Sequence, residues 1–255
     1  MPKLPEPYRF VDISDYGRPI AKFIANSLKT SSTTPVHVTI WFIISGIFAI
    51  ICMLNDYMWA AAFFLIWKSI LDAADGELSR VKNTPSYTGR YLDSVADIIL
   101  NLLFLLTIGY ISATPILYTI LAFTGIQLQG TLFNYYYVIL RNRFGGDTTS
   151  RVFEYEKPIA FLGEQQKHVD ILFALYDLFY RYFDKAIYLM DKKAENSTWF
   201  PKWFMTAVST MGLGSQLLIM SVMLVLNLET YIIPFFIAYS FFILIFIGIR
   251  RGFAA

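Results

Sequence analysis

Cysteine, histidine and charge are all scarce in this sequence, and each scarcity removes a class of protein. Cys52 is the only cysteine in 255 residues, so there is no disulfide framework, no Cys-rich metal site and no dithiol redox pair. The two histidines, His37 and His168, are isolated from one another, which argues against a His-based metal centre and leaves them capping or interface roles. Charged residues make up 16% of the chain, against about 25% in a soluble domain, and with a net charge of +2 no nucleic-acid partner is expected. Internal repeats and low-complexity tracts are also missing. A cleavable signal peptide is not expected either, because the sequence starts Met1-Pro-Lys-Leu-Pro-Glu-Pro7 and stays polar for about thirty residues.

What fills the chain instead is apolar: 56% of residues are hydrophobic and 18% aromatic. Mean hydropathy is +0.50. A helix needs about 20 mostly apolar residues to cross a bilayer, and such runs fall at roughly 37–54, 57–78, 91–112, 115–140, 203–226 and 230–249. The expected fold is an all-α integral membrane protein with six transmembrane helices. Residues 1–36 form an N-terminal cytoplasmic or interfacial segment, and 37–255 form one membrane domain with a cytoplasmic insertion at about 141–202.

Two segments outside the spans have amphipathic patterns. Gly17-Arg18-Pro19 opens a short stretch with Ile20, Phe23, Ile24 and Leu28 on one stripe and Lys22, Asn26 and Lys29 opposite, the pattern of a helix lying in the membrane interface. The insertion begins with a loop-like stretch around Gly145-Gly146. From Val169 onward Leu172, Tyr176, Phe179, Phe183, Ile187 and Met190 recur every three or four residues, opposite Lys167, Asp170, Asp177, Arg181 and Asp184. This predicts a second interfacial helix between spans four and five, either docked on the membrane or acting as a lid or acceptor-recognition element.

The 21 Lys and Arg residues are distributed on one side only. Five precede residue 30, Arg80, Lys82 and Arg90 flank the second loop, ten fall from Arg141 to Lys202, and Arg250 and Arg251 end the last span. Lys68 alone lies inside a span, and the loops near Asp56, Ser112 and Leu228 hold none. By the positive-inside rule both termini are cytoplasmic. The expected setting is a multi-pass protein of a bacterial or archaeal cell membrane.

Against this background the segment from Asp72 to Asp97 stands out. It reads Asp72-x-x-Asp75-Gly76-x-x-Ser79-Arg80, then, after eight residues, Gly89-x-x-x-Asp93-x-x-x-Asp97. At about 5% usage per residue type, seven such fixed positions match by chance at about one starting point in a billion. Asp72 and Asp75 share one helix face near the end of the second span, as do Asp93 and Asp97 near the start of the third. The turn containing Pro85 folds these helices back, so the four carboxylates converge. An ionised Asp in mid-membrane costs about 2.5 to 3.5 kcal/mol, and like charges resist being brought together. A cation must therefore sit among them. An all-carboxylate ligand set suits Mg2+ or Mn2+ in a two-metal site, and Arg80 can pair with a phosphate.

The pattern resembles the signature of the CDP-alcohol phosphatidyltransferase family, D-x2-D-G-x2-A-R-x8-G-x3-D-x3-D. Every spacing is reproduced, and Ser79 stands where the family has Ala. Thr34-Pro35 with Thr39 is similar to the start of the family's first span. The resemblance implies a CDP-alcohol donor such as CDP-diacylglycerol, an alcohol acceptor, membrane lipid, release of CMP and a homodimer. It implies metal ligation by Asp72, Asp75 and Asp93, completed by Asp97, which would also serve as the catalytic base, and substrate contacts at Gly76, Ser79, Arg80 and Gly89. Lys68, Arg90, Arg141 and Arg143 are further candidates for acceptor or phosphate contact, Lys68 being equally a charge partner for the carboxylates. Glu77 faces substrate, another subunit or a basic side chain. Gln127, Thr131 and Asn134 form a polar stripe on the fourth span, serving either helix pairing or acceptor binding. The rival reading is a cation- or proton-coupled transporter that uses the same carboxylates.

Overall fold

The computed structural model describes residues 4–144, 157–197 and 199–253, so the Gly145-Gly146 stretch lies outside the described residues. Among the described residues there are ten α-helices and three short 3-10 turns, and no strand. The helices are α1 (Arg18–Leu28), α2 (Pro35–Leu54), α3 (Met58–Lys82), α4 (Tyr87–Ile111), α5 (Ile116–Arg143), α6 (Gln166–Met190), α7 (Lys202–Ser209), α8 (Leu213–Val225), α9 (Glu229–Tyr239) and α10 (Phe242–Phe253).

Helix boundaries follow local chemistry. Thr34 caps α2, its hydroxyl accepting from the His37 amide while His37 Nδ1 accepts from the Thr34 amide at 3.1 Å, with Pro35 in the first turn. His37 is thus the capping residue its isolation implied. Asn83 ends α3 in the left-handed region at φ 52°, and Ser86 then caps α4 by accepting from the Gly89 amide at 2.8 Å.

Among the described residues four helical stretches are long and apolar enough to cross a membrane: α2, α4, α5 and the α9–α10 pair, and α7 with α8 makes five if that bent pair is one span. The six-span expectation is met only to that extent. Helix α3 has the length, with 25 residues, but Lys68, Asp72 and Asp75 fall inside its apolar run. The motif itself takes that helix below the composition of an ordinary span. Exposed Ile40, Ile44, Ile47 and Ile51 on α2, and Leu117, Ile120 and Leu121 on α5, leave apolar faces too extensive for a water-facing surface.

The expected helix 203–226 is corrected to two helices bent by 49°. The N-terminal segment packs into the bundle against this bend instead of trailing along its surface. Leu4 is buried, Phe10 stacks edge-on to Phe133, the Ile13 amide donates to Ser209 Oγ at 2.9 Å, and a Cβ on Gly214 would collide with the Ser14 carbonyl. Two glutamines satisfy backbone groups that the helix breaks leave behind. Gln216 Nε2 donates to Met211 O at 3.0 Å and to Gln129 Oε1 at 3.2 Å, while Gln129 Nε2 reaches Phe236 O at 3.2 Å and Ser240 Oγ at 3.0 Å. Broken helices survive inside a membrane protein when such partners exist.

Helix α1 lies against α3, but the buried residues are Ala21 and Ala25, with Ile24 and Leu28 partly covered, while Ile20 and Phe23 are exposed. The expected stripe is therefore split between the protein and its surroundings. Helix α6 packs on α4 and α5 through Val169, Phe173 and Ile187.

The contact between Ser14 and Gly214 leads to a specific expectation. Gly214→Ala forces the N-terminal segment away and lowers stability by about 1 to 3 kcal/mol, as overpacking does, whereas Gly130→Ala, with no atom within 4 Å of the added carbon, leaves it unchanged. Thermal melting in detergent together with proteolysis near residues 5–16 measures both. Equal melting of the two variants would contradict the packing described.

Candidate active site

Helices α3 and α4 both pack on α2, not broadly on each other, and the motif carboxylates meet in the gap between them. Ligand-capable oxygens of Asp72, Asp75 and Asp93 lie within 4.8 Å of one another. Thr39 on α2 donates to Asp75 Oδ2 at 2.7 Å. Asp93 Oδ1 is buried with no hydrogen-bond partner among the described residues. Three acidic groups so close, one with an orphaned oxygen, are unfavourable without a positive charge.

Part of that charge is Lys68. It is wholly buried, its ammonium 2.9 Å from Asp72 Oδ2, bonded to Asp97 Oδ1, and 4.5 Å from the centre of the Phe42 ring. Of its two alternatives, Lys68 takes the role of charge partner. Asp97 is correspondingly drawn to Lys68 and stands outside the three-carboxylate group.

A cavity of about 400 Å3 opens on this cluster, lined by Asp72, Asp93 and Asp97 and by Arg90 and Arg141. Arg141 is buried, its guanidinium 5.5 Å from the Tyr137 ring. Gln127, Thr131 and Asn134 also face this cavity, while the helix-pairing hydrogen bonds on α5 come from Gln129. An adjoining cavity of about 560 Å3 is lined by Arg9, Arg18, Lys22 and Arg80 together with Asp12, Asp15 and Glu77. The two share Asp12, Asp15 and Tyr137. Glu77 here faces basic side chains: it bonds Arg18 and lies 3.1 Å from Arg80.

The remaining candidates fall in different places. A Cβ on Gly76 would lie 3.5 Å from the Arg80 guanidinium, an ordinary contact, so this glycine faces the space around Arg80. The Ser79 hydroxyl donates to Thr84 O at 2.9 Å and so ties down the α3–α4 turn. Gly89 sits in the capped first turn of α4. Arg143 donates to the Ser197 carbonyl and is not among the residues lining either cavity.

Several lining residues come from segments that sequence reasoning did not assign to the site or, for α6, assigned to it only as one of two alternatives. Asp12, Ser14 and Asp15 arrive from the N-terminal segment, which carries no periodic pattern to announce them. Tyr176, Tyr180 and Asp184 arrive from α6 at four-residue spacing, a legible stripe on the edge of its apolar face. Tyr180 donates to Ser94 O at 2.9 Å. Burial, with Asp97 and Tyr176 nearby, pushes its phenol well above the ordinary range, so it remains a donor. Before α6, Glu164 accepts from Ser86 Oγ and the Thr88 amide, each at 2.7 Å, and closes over the start of α4. Burial alone would raise its carboxyl, but the hydrogen bonds from Ser86, Thr88 and Phe161 outweigh it and hold it below its usual value.

The sequence that carries the motif has a match among known protein families. A family model described as CDP-alcohol phosphatidyltransferase matches residues 32–176. The match spans more than half of the chain, from the cap of α2 into α6, and the chain belongs to that family. It is a transferase class that moves the phospho-alcohol moiety of a CDP-alcohol. No curated protein matched the chain. Nothing in these comparisons supports a transporter.

The Lys68 contacts can be tested directly. Lys68→Met leaves Asp72 and Asp97 without their cation and is expected to destabilise the protein by about 3 to 5 kcal/mol, the cost of breaking a buried pair. Lys68→Met with Asp97→Asn regains part of that loss, because one of the unpaired charges is removed as well. Denaturation in detergent measures both; a single variant as stable as the parent would exclude the pairing.

Proposed function

We propose that the protein is a divalent-metal-dependent membrane enzyme that transfers the phospho-alcohol group of a CDP-alcohol to an acceptor hydroxyl and releases CMP, in phospholipid or inositol-phosphate type biosynthesis. The observation carrying this reading is the convergence of Asp72, Asp75 and Asp93, with the unpartnered Asp93 oxygen, in a family that uses CDP-alcohols. An all-oxygen donor set fits Mg2+ or Mn2+, and Asp72, Asp75 and Asp93 would hold such ions, with Asp97 beside them. When bound, the metal offsets charge on the donor's diphosphate and on the leaving phosphate oxygen.

The chain's own residues do the rest. The Asp97 carboxylate takes the proton of the acceptor hydroxyl, whose oxygen forms a bond to the phosphorus bearing the alcohol. The bond from that phosphorus to the bridging oxygen breaks, and the electron pair leaves with CMP. Lys68 fixes the position of Asp97 and supplies compensating charge. Arg80, with Gly76 and Gly89, contacts the donor, and Arg90 and Arg141 face the acceptor across the smaller cavity. Tyr176 and Tyr180 close that cavity from α6, which supports the lid or acceptor-recognition reading of the insertion.

The proposal also covers setting and assembly. All six expected spans cross the membrane, α3 among them, since its charged residues face the site. The active site and both termini are cytoplasmic, as the one-sided Lys and Arg distribution supports, in a bacterial or archaeal cell membrane. The protein works as a homodimer, the common state in the family. Acceptor choice follows from the arginines and the polar stripe on α5, which favour a phosphorylated or polyhydroxy alcohol.

Chelation should abolish CMP release from a CDP-alcohol panel by detergent-solubilised protein, and Mg2+ or Mn2+ should restore it. Full activity in excess chelator would rule out metal dependence. Asp97→Asn should slow turnover by at least the ~100-fold typical of a lost general base while the CDP-alcohol still binds. Near-normal turnover would remove Asp97 from that role.

A further inference from the structure

Away from both cavities of the active site, a third cavity of about 570 Å3 lies at the ends of α6 and α10, lined by Leu189, Met190, Asp191, Lys192, Lys193, Arg250 and Arg251. Four cations face one carboxylate, and that carboxylate is already engaged. Asp191 and Arg250 are both almost wholly buried and bonded to each other, with Arg250 Nε 2.7 Å from Asp191 Oδ2 and the Tyr136 hydroxyl donating to the same oxygen at 2.7 Å. Arg251 stands 3.7 Å from Asp191 Oδ1 and is 59% exposed in its side chain. Lys192 and Lys193 project from the following 3-10 turn, and among the described residues neither side chain has a partner. Glu195, on the same turn, does not line the cavity. The buried Arg250–Asp191 pair is a fixed floor, Arg251 is held beside it by donating to Met190 O at 2.5 Å, and the ammonium groups of Lys192 and Lys193 are left to meet a ligand.

The surroundings identify what such a cavity would take. Trp199 and Trp203 are largely exposed close by, with ring centroids 6.3 and 5.6 Å from Phe253 on α10, and exposed indoles of this kind mark the headgroup level of a bilayer. Leu189 on the cavity wall is exposed, and so is Leu244, two turns before Arg251 on the same face of α10. Cations above an apolar helix face match a molecule with a phosphate at one end and acyl chains below it. A free phosphate would use the cations and leave the apolar wall uncovered.

We infer that this cavity is a binding site for the headgroup phosphate of an anionic phospholipid, separate from the substrate cavities. The inference rests on membrane insertion at this depth but not on the proposed reaction. Lipid bound here would screen Lys192, Lys193 and Arg251 from one another and hold the ends of α6 and α10 together. Helix α6 carries Tyr176 and Tyr180 into the active site, so the site bears on the element that covers it.

Native mass spectrometry of the full chain released from detergent tests the inference, with phosphatidylglycerol, phosphatidylcholine and inorganic phosphate as probes. Phosphatidylglycerol should bind in preference to phosphatidylcholine. Lys192→Gln with Lys193→Gln should weaken it about 30-fold, the combined effect of two lysines near a lipid surface, while Lys29→Gln with Lys167→Gln, an equal loss of charge elsewhere, should not. Equal weakening in both double variants would overturn the site in favour of diffuse attraction. Displacement of the lipid by inorganic phosphate at matched concentration would overturn the lipid as occupant. CMP release, measured in the same samples, reports on the proposed reaction independently.

Discussion

Four carboxylates inside an apolar helix bundle are the constraint on which the rest of this protein depends. Asp72, Asp75, Asp93 and Asp97 repel one another and lose hydration where they stand, and the bundle supplies one fully buried cation, Lys68, to hold two of them. The pairing divides the set. Asp97 is tied to Lys68, while Asp75 has Thr39 and Asp93 keeps an oxygen without a partner. Asp72, Asp75 and Asp93 are thereby left as a group of converging oxygens able to hold a cation.

The same constraint shapes the helices. Helix α3 gives up the apolarity of an ordinary span to carry the motif, and it is shielded by α1, α2 and α8. Around the cavity the chain is repeatedly interrupted, at Thr210–Gly212 and at Ser240–Phe241, and each interruption is tolerated because Gln129, Gln216 and neighbouring hydroxyls reach the carbonyls involved. The break near Gly212 has a further consequence. It makes room for Ser14 and its neighbours, so that residues far from the motif in sequence become walls of the site.

Polar clusters at the two ends of α6 perform different tasks. Near its start Glu164 caps α4, the helix that carries Asp93 and Asp97, and past its middle Tyr180 is anchored to Ser94 on that same helix. At its far end Asp191 is locked to Arg250 and to Tyr136 of α5. Helix α6 is therefore fixed to three others by hydrogen bonds as well as by apolar contact. That is a stiffer arrangement than an amphipathic helix resting on lipid alone.

The sequence by itself determined the family, the carboxylates and the helical, membrane-embedded character, because fixed spacings and long apolar runs act locally and survive without knowledge of packing. The capping role of His37 was legible for the same reason. Tertiary structure decided what depends on neighbours far apart in the chain. It placed Lys68 between Asp72 and Asp97, turned Glu77 toward Arg18 and Arg80, gave the Ser79 hydroxyl to the α3–α4 turn, and sent Arg143 away from the cavity. It also brought in Asp12, Ser14 and Asp15, from a segment without periodicity, and bent the predicted fifth span. Side-chain direction and helix breaks of this kind arise from close packing between distant segments, and no spacing along a single helix encodes them.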